Sequence, residues 1–289
     1  MRAIALAAVL QPLKLRYDEA LTGAPQNRAT SETGRCYLRI DPDRVGETPS
    51  MNGNHVTFPG VAAPTSREQL RAIQALFRAH GVRRYFVELS PCAQQAELRG
   101  WLQEAGMVPF DGAGYPTLLR PGSAPVVPPV AATDCVLRVA PLTAEEAHGR
   151  MDELRAAIGF GPWATYFARA IAEPDVAGFA AYDGARLVAA AGLFTHGDLG
   201  YLGVTGTRES HRRRGAQGAL IAARVTHCQT LGLGQCVSET LYRLTSSLNN
   251  LRRAGFEVIY DKEMWTPRKT SAKSADPGTP PGPPADTDR

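Results

Sequence analysis

Cysteine is scarce and unpatterned in this chain. Five occur, at positions 36, 92, 135, 228 and 236, an odd number with no Cys-x-x-Cys pair. That argues against a disulfide framework, and the lack of a cysteine–histidine cluster argues against structural zinc; no metal is expected, and a reducing, cytoplasmic setting is. Long hydrophobic runs are missing too, so no membrane span is expected. The opening MRAIALAAVL mimics a weak signal peptide. Its apolar run is very short, and QPLKLRYDEA follows without a good cleavage site, so an ordinary first helix is the better reading. Nor is there a strong charge of one sign. The formal net charge is +4 over 289 residues, too mild by itself to imply nucleic acid. The aromatic–basic interleaving of nucleic-acid modules is also lacking, and no nucleic-acid partner is expected.

What is present is globular material, 44% hydrophobic and long enough for two domains. Two stretches punctuate it. PGSAPVVPPVAAT, residues 121–133, reads as a proline-rich interdomain linker. The tail, 268–289, contains PGTPPGPPADTDR and has almost nothing to bury, so disorder is expected there. The expected division is therefore one domain over 1–120 and a second over 134–267.

The two halves repeat each other. In the first, residues 66–80 read as a helix with Leu70, Ile73 and Phe77 on one face. Ser66 and Gln69 have capping-box spacing, and Gly81 ends it. RRYFVEL reads as a strand, 92–105 as a helix stopped by Gly106, and another strand starts at Met107. In the second, a helix over 215–231 stops at Gly232, a strand covers 235–239, a helix over 246–254 stops at Gly255, and FEVIY is a strand. LQEAGMVPF and LRRAGFEVIY repeat even the wording. Ahead of this unit the second half carries CVLRVA, a helix near 144–158, GFAAY, an Asp183-Gly184 turn, RLVAAAGLF and LGYLGVTG, an antiparallel meander.

The chemistry concentrates in GVTGTRESHRRRGAQGALIAAR, residues 203–224. A strand ends near Val204, an arginine-rich turn follows, and a helix begins at Gly215. Gly215, Ala216, Gly218 and Ala219 are small enough for a ligand to approach the backbone. Free amides at the helix start, the helix dipole and Arg212, Arg213 and Arg214 together suit a pyrophosphate. Behind them Leu220, Ile221, Val225, Cys228 and Leu231 form an apolar face. Gln217 and Arg224 lie near it and need partners, either the phosphate loop or Glu239.

This segment resembles the coenzyme-A motif of the GNAT acetyltransferase superfamily, Arg/Gln-x-x-Gly-x-Gly/Ala. Arg212 and Gly215 fit it, and Gln217 replaces the second small residue. Asn250 to Phe256 adds a matching Asn-x-x-x-x-Gly-Phe, and the likeness covers nearly all of the second half. The resemblance implies an α/β (α+β) chain of two GNAT-like domains, each a mixed, mostly antiparallel sheet flanked by helices, the first degenerate and without an arginine–glycine loop. It implies acetyl-CoA as cosubstrate, bound by residues 212–219 and Asn250. It also implies that the backbone of Val204, Thr205, Gly206 and Thr207 holds the pantetheine arm and polarises the acetyl carbonyl. The acceptor would be a small-molecule or peptide amine attacking the thioester directly.

The family pattern breaks at the catalytic groups. Leu251 stands where a tyrosine acid is common, and Leu244 or Thr245 where an asparagine is. Glu239 is the first candidate for the base, with Tyr242, His196 and Asp198 as rivals. Ser247 and Asn250 are the polar residues left on the last helix; Ser247 is carried as a catalytic candidate. Trp163, Tyr166 and Phe167 pack in the core or line the acceptor cleft, and MNGNHVTFPG could add residues there. Cys228 and Cys236 read as core. His196 and Asp198 read equally as a turn. The missing tyrosine leaves one alternative function, a non-catalytic acyl-CoA sensor. Oligomeric state is not legible.

Overall fold

The computed structural model of the chain describes residues 2–22, 36–40, 54–110, 114–128, 137–159 and 163–268. The proline-rich tail beyond 268, Cys135, the end of the 121–133 stretch and the Met-Asn-Gly of MNGNHVTFPG lie outside them.

The expected first helix is present as α1 (Arg2–Thr22). Leu6, Leu10, Leu13 and Tyr17 follow one another at helical spacing and are buried. No helix among the described residues is long and apolar enough to cross a membrane. Two short strands follow, β1 (Tyr37–Arg39) and β2 (His55–Thr57). Then comes α2 (Arg67–Ala79), which opens on the expected capping box. The Ser66 hydroxyl accepts from the Gln69 amide at 3.2 Å, and the Gln69 side chain accepts from the Ser66 amide at 2.7 Å. Its core face is Leu70, Ile73 and Phe77. The strand β3 (Phe86–Leu89), the helix α3 (Gln95–Glu104) and the strand β4 (Met107–Pro109) complete the first repeat unit.

The next strand, β5 (Tyr115–Pro121), does not stay with that unit. Beyond it lie β6 (Arg138–Leu142) and two helices where one was expected, α4 (Ala144–Gly149) and α5 (Met151–Ile158). The break falls at Gly149-Arg150. Glycine is a poor helix interior, and Arg150 leaves helical geometry at φ −117°, ψ 31° while its guanidinium bonds the Ala185 carbonyl at 2.9 Å. After α6 (Trp163–Ala170) the expected meander runs through β7 (Val176–Asp183), β8 (Arg186–His196) and β9 (Leu199–Thr207). The second repeat unit is α7 (Ala216–Thr230), β10 (Gln235–Glu239), α8 (Thr245–Arg253) and β11 (Glu257–Pro267).

The strands join in one mixed sheet, ordered β1-β2-β3-β11-β5-β10-β9-β8-β7-β6, with β4 on β11. The fold is α/β, and most pairs are antiparallel; β2–β3 and β9–β10 are parallel. β5 lies between β10 and β11 and is antiparallel to both. β11 then continues onto β3 and β4. The start of the proline-rich stretch is pinned to this junction. Buried Arg120 donates to the carbonyls of Pro121, Ala124, Pro125 and Ala254. Gly122 passes so near Leu233 that a Cβ there would stand 1.8 Å from its carbonyl oxygen.

Three cores result. One face of the second half packs under α1 and α4–α6, and includes Tyr17, Phe194, Tyr201 and Val237. The opposite face packs under α7 and α8, and includes Leu220, Ile221, Val225, Cys228 and Cys236. The third lies between α2, α3 and strands β1–β4. Leu231, expected on the apolar face of α7, is 52% exposed, because the helix ends at Thr230 and the chain turns away through Gly232 at φ 68°.

Candidate functional site

The arginine-rich segment leaves β9 through a short 3-10 turn, Glu209–His211. Buried His211 ties that turn down, its Nε2 lying 3.2 Å from Asp183 Oδ2 and its Nδ1 2.8 Å from Ser210 Oγ. Arg213 and Gly215 both have positive φ, 64° and 83°, so the chain turns tightly into α7. Gly215 is the N-cap and has no side chain to occupy the first amides. The side chains of Arg212, Arg213 and Arg214 are exposed. An open helix start, its dipole and three exposed guanidiniums, of which Arg212 lies 4.0 Å from Glu209, suit an oxyanion of high charge.

The strand leading in is deformed. β9 pairs with β10 only as far as Tyr201↔Val237, although β9 continues to Thr207. Beyond that pair Ser238 Oγ donates to the Leu202 carbonyl at 3.1 Å. Against β8, Gly203 faces Gly192 and Thr205 faces Ala191, so Val204 is an extra, bulged residue. Arg224 holds the bulge. It is 2% exposed and donates to the carbonyls of Gly192 and Gly203, each at 3.1 Å, and of Leu220 at 3.0 Å. Burial pushes its guanidinium down to about 9. Gly206 lies against the end of α5, where a Cβ would stand 2.5 Å from the Ala157 carbonyl oxygen. A polar chain braces the other side. Gln217 donates to Ser247 Oγ at 3.1 Å and accepts from Asn250 at 2.6 Å, and Arg253 donates to Asn250 at 2.6 Å.

The structure therefore gathers residues 212–219, Ser247 and Asn250 at the start of α7, with Val204–Thr207 on the strand feeding it. Glu239 is elsewhere. Strand alternation puts Cys236 and Ser238 toward α7 and α8, and Val237 and Glu239 toward α1. Ser247 and Glu239 thus lie on opposite faces of the sheet. Neither Arg224 nor Gln217 meets Glu239, as one sequence reading had it; Arg224 meets carbonyls and Gln217 meets α8. Glu239 instead accepts from Lys14 at 3.0 Å, from Tyr201 at 3.0 Å and from Thr117 at 3.2 Å, and pairs with Lys262 at 3.0 Å. Lys262 also meets Glu88 at 2.9 Å. Burial alone would raise the Glu239 carboxyl, but Lys14 and Lys262 outweigh it and hold the group well below the usual carboxylate range. Burial, and then the Glu239 charge, push the Tyr201 and Tyr115 phenols well above theirs.

The remaining candidates scatter. His196 and Asp198 flank the turn at Gly197, and Asp198 accepts from the Gly234 amide. Tyr242 packs at the edge of the α7–α8 core, its phenol raised by burial and then by Asp261. Phe167 is fully buried, with Trp163 and Tyr166 partly buried beside it. Cys228 and Cys236 are free thiols in the core. Leu251 is buried there too. No cluster able to hold a metal occurs among the described residues. Sequence reasoning missed Lys14, Lys262, Tyr201 and Thr117. One compositional signal was available: only four of the 32 basic residues are lysine, and two of those four meet Glu239.

No protein-family model and no curated protein sequence matches the chain. Solved structures do. A GCN5-related N-acetyltransferase from Kribbella flavida aligns over 91% of this chain and 96% of that one, with TM-score 0.59 and 20% identity. A GCN5-related N-acetyltransferase from Sphaerobacter thermophilus aligns over 80% and 75%, with TM-score 0.58 and 14% identity. A tandem GNAT protein from the clavulanic acid biosynthesis pathway aligns over 73% and 74%, with TM-score 0.51 and 14% identity. The chain has the fold of the GNAT acetyltransferases.

Proposed function

We propose that the chain is an acyl-CoA-dependent N-acyltransferase that moves an acetyl group from acetyl-CoA to an amine. One observation carries this reading. An uncapped helix start ringed by Arg212, Arg213 and Arg214 opens beside the bulged strand that continues past its last pairing with β10. In this reading the α7 amides and the arginines hold the pyrophosphate. The Val204–Thr207 backbone aligns the pantetheine arm and donates to the acetyl oxygen as negative charge develops on it. The amine nitrogen bonds to the carbonyl carbon, the carbon–sulfur bond breaks, and the thiolate takes up a proton.

Ser247 and Asn250 then serve the cosubstrate end, by positioning Gln217 at the first turn of α7. Glu239 is already paired with Lys14 and Lys262, and in this reading its part is to hold positive charge rather than to take a proton. The first repeat unit, lacking an arginine–glycine loop, is a GNAT-like unit that binds no coenzyme A through such a loop. The α1 and β5 segments of the first half, outside that unit, instead complete the second half.

Two measurements test the proposal. Calorimetry with acetyl-CoA should show one site, lost in Gly215→Glu. Thiol release over a panel of small and peptide amines should then show turnover. A second reading, an acyl-CoA sensor without turnover, is favoured by the apolar Leu251 and the doubly paired Glu239. Heat of binding with no thiol release for any amine would decide for it.

A further inference from the structure

The cluster around Glu239 lies on the α1 face of the sheet, opposite α7 and α8. Lys14 Nζ lies 4.6 Å from the ring centroids of both Tyr17 and Tyr201, 3.0 Å from Glu239 Oε2 and 3.1 Å from the Tyr201 hydroxyl. Two aromatic faces, a carboxylate and a phenol oxygen are the groups that recognise a primary ammonium, by cation–π attraction and charge-assisted hydrogen bonds. The cation held there is a lysine in a chain that otherwise uses arginine almost throughout. A compact ammonium differs from a planar guanidinium in what it fits and in how readily it gives up a proton.

The position of this cage matters as much as its composition. The Tyr17 ring packs on the backbone of β9 just before the bulge, where a Cβ on Gly203 would stand 2.6 Å from its Cε2. Tyr17 also meets Phe194 and Tyr201 edge-on at 4.6 and 5.0 Å. The Tyr17 ring therefore touches both the Lys14 ammonium and the backbone at Gly203, one residue before the stretch assigned to the acetyl carbonyl. The two lysines differ in access: the Lys14 side chain is 13% exposed and that of Lys262 is 1% exposed. Withdrawing Lys14 would leave Glu239 still paired with Lys262.

We propose that Tyr17, Tyr201 and Glu239 form a subsite for a primary alkylammonium group, which Lys14 fills as an internal stand-in for the acceptor amine. Its role as acceptor site rests on the N-acyltransferase reading; its affinity for an amine does not. An amine that displaces Lys14 gives one proton to water. Its nitrogen then bonds to the thioester carbonyl carbon, the carbon–sulfur bond breaks, and the nitrogen's second proton ends on the coenzyme thiolate.

The test is a titration of full-length Lys14→Ala with n-butylamine, with n-butanol as the uncharged control. The variant should bind the amine about tenfold more tightly than the wild type, and a further Glu239→Gln change should remove that gain. n-Butanol should show none. A folded Lys14→Ala protein that binds n-butylamine no better than the wild type overturns the proposal. If the variant is unstable, its melting temperature is the readout. n-Butylamine should raise it where n-butanol does not, and failure to do so also overturns the proposal. Adding acetyl-CoA then tests the role. N-butylacetamide should form, and amine binding and cofactor binding without that product would overturn the acceptor assignment. Absence of any heat with acetyl-CoA would instead overturn the N-acyltransferase reading, and the amine titration would still stand on its own.

Discussion

Arg224, on α7, donates through one guanidinium nitrogen to the carbonyls of Gly203 and Gly192, on two neighbouring strands. A buried cation whose hydrogen-bond partners among the described residues are carbonyls therefore fixes the bulge at Val204. Arg224→Met should leave those oxygens unsatisfied and lower unfolding stability by about 2–4 kcal/mol. Denaturant titration measures that loss. If the bulge aligns the cosubstrate, acetyl-CoA affinity should fall in the same variant at temperatures where it remains folded.

Gly215 combines φ 83° with the N-cap position of α7. Gly215→Ala places a Cβ in the left-handed region, which costs about 1–2 kcal/mol, and should weaken acetyl-CoA binding moderately. Gly215→Glu adds bulk and negative charge at the start of α7 and should abolish binding. Calorimetry on both variants, with circular dichroism to confirm folding, separates strain from charge.

The Glu239 carboxyl is held down by Lys14 and Lys262 against the opposing effect of burial. A depressed folded-state pKa adds stability above the unfolded value, and that stability fades as pH falls through the folded one. The contribution should be complete above the ordinary value of 4.5 and decline as the pH drops toward 2. Glu239→Gln should be less stable at pH 7 by about 3–5 kcal/mol, because Lys14 loses its Glu239 ion pair and Lys262 keeps Glu88 but loses the second carboxylate. Its stability should also fall less steeply with acid. Urea midpoints across pH 3–7 for both proteins check the sign and the window.

Gly122 has the tightest approach of any glycine in the sheet junction, 1.8 Å from a virtual Cβ to the Leu233 carbonyl oxygen, and its amide donates to Gly234 at 2.7 Å. Gly122→Ala should push β5 away from the end of α7 and cost about 1–3 kcal/mol or more. A lowered melting temperature with unchanged acetyl-CoA stoichiometry is the expected result. An unchanged melting temperature would argue against β5 as an integral strand of the second half.

Gln217 bonds Ser247 and Asn250 at the first turn of α7. Ser247→Ala should therefore weaken acetyl-CoA binding and leave the pH profile of turnover in place. Loss of one limb of that profile with unchanged affinity would make Ser247 an acid instead.

The sequence by itself determined the local elements and the arginine-rich turn into α7. Period-3.6 apolar spacing, the Ser66–Gln69 capping box, the stop glycines 81, 106, 232 and 255, and the Arg-rich turn into Gly215 act within a few residues of one another, so each could be read from its neighbours. Tertiary structure decided what depends on distant partners. It placed β5 between β10 and β11, turned Arg224 to carbonyls, and set Ser247 and Glu239 on opposite faces. It also brought Lys14, 225 residues away in sequence, onto Glu239. Strand order and buried charge pairing are settled by which surfaces meet, and chain separation carries no trace of that.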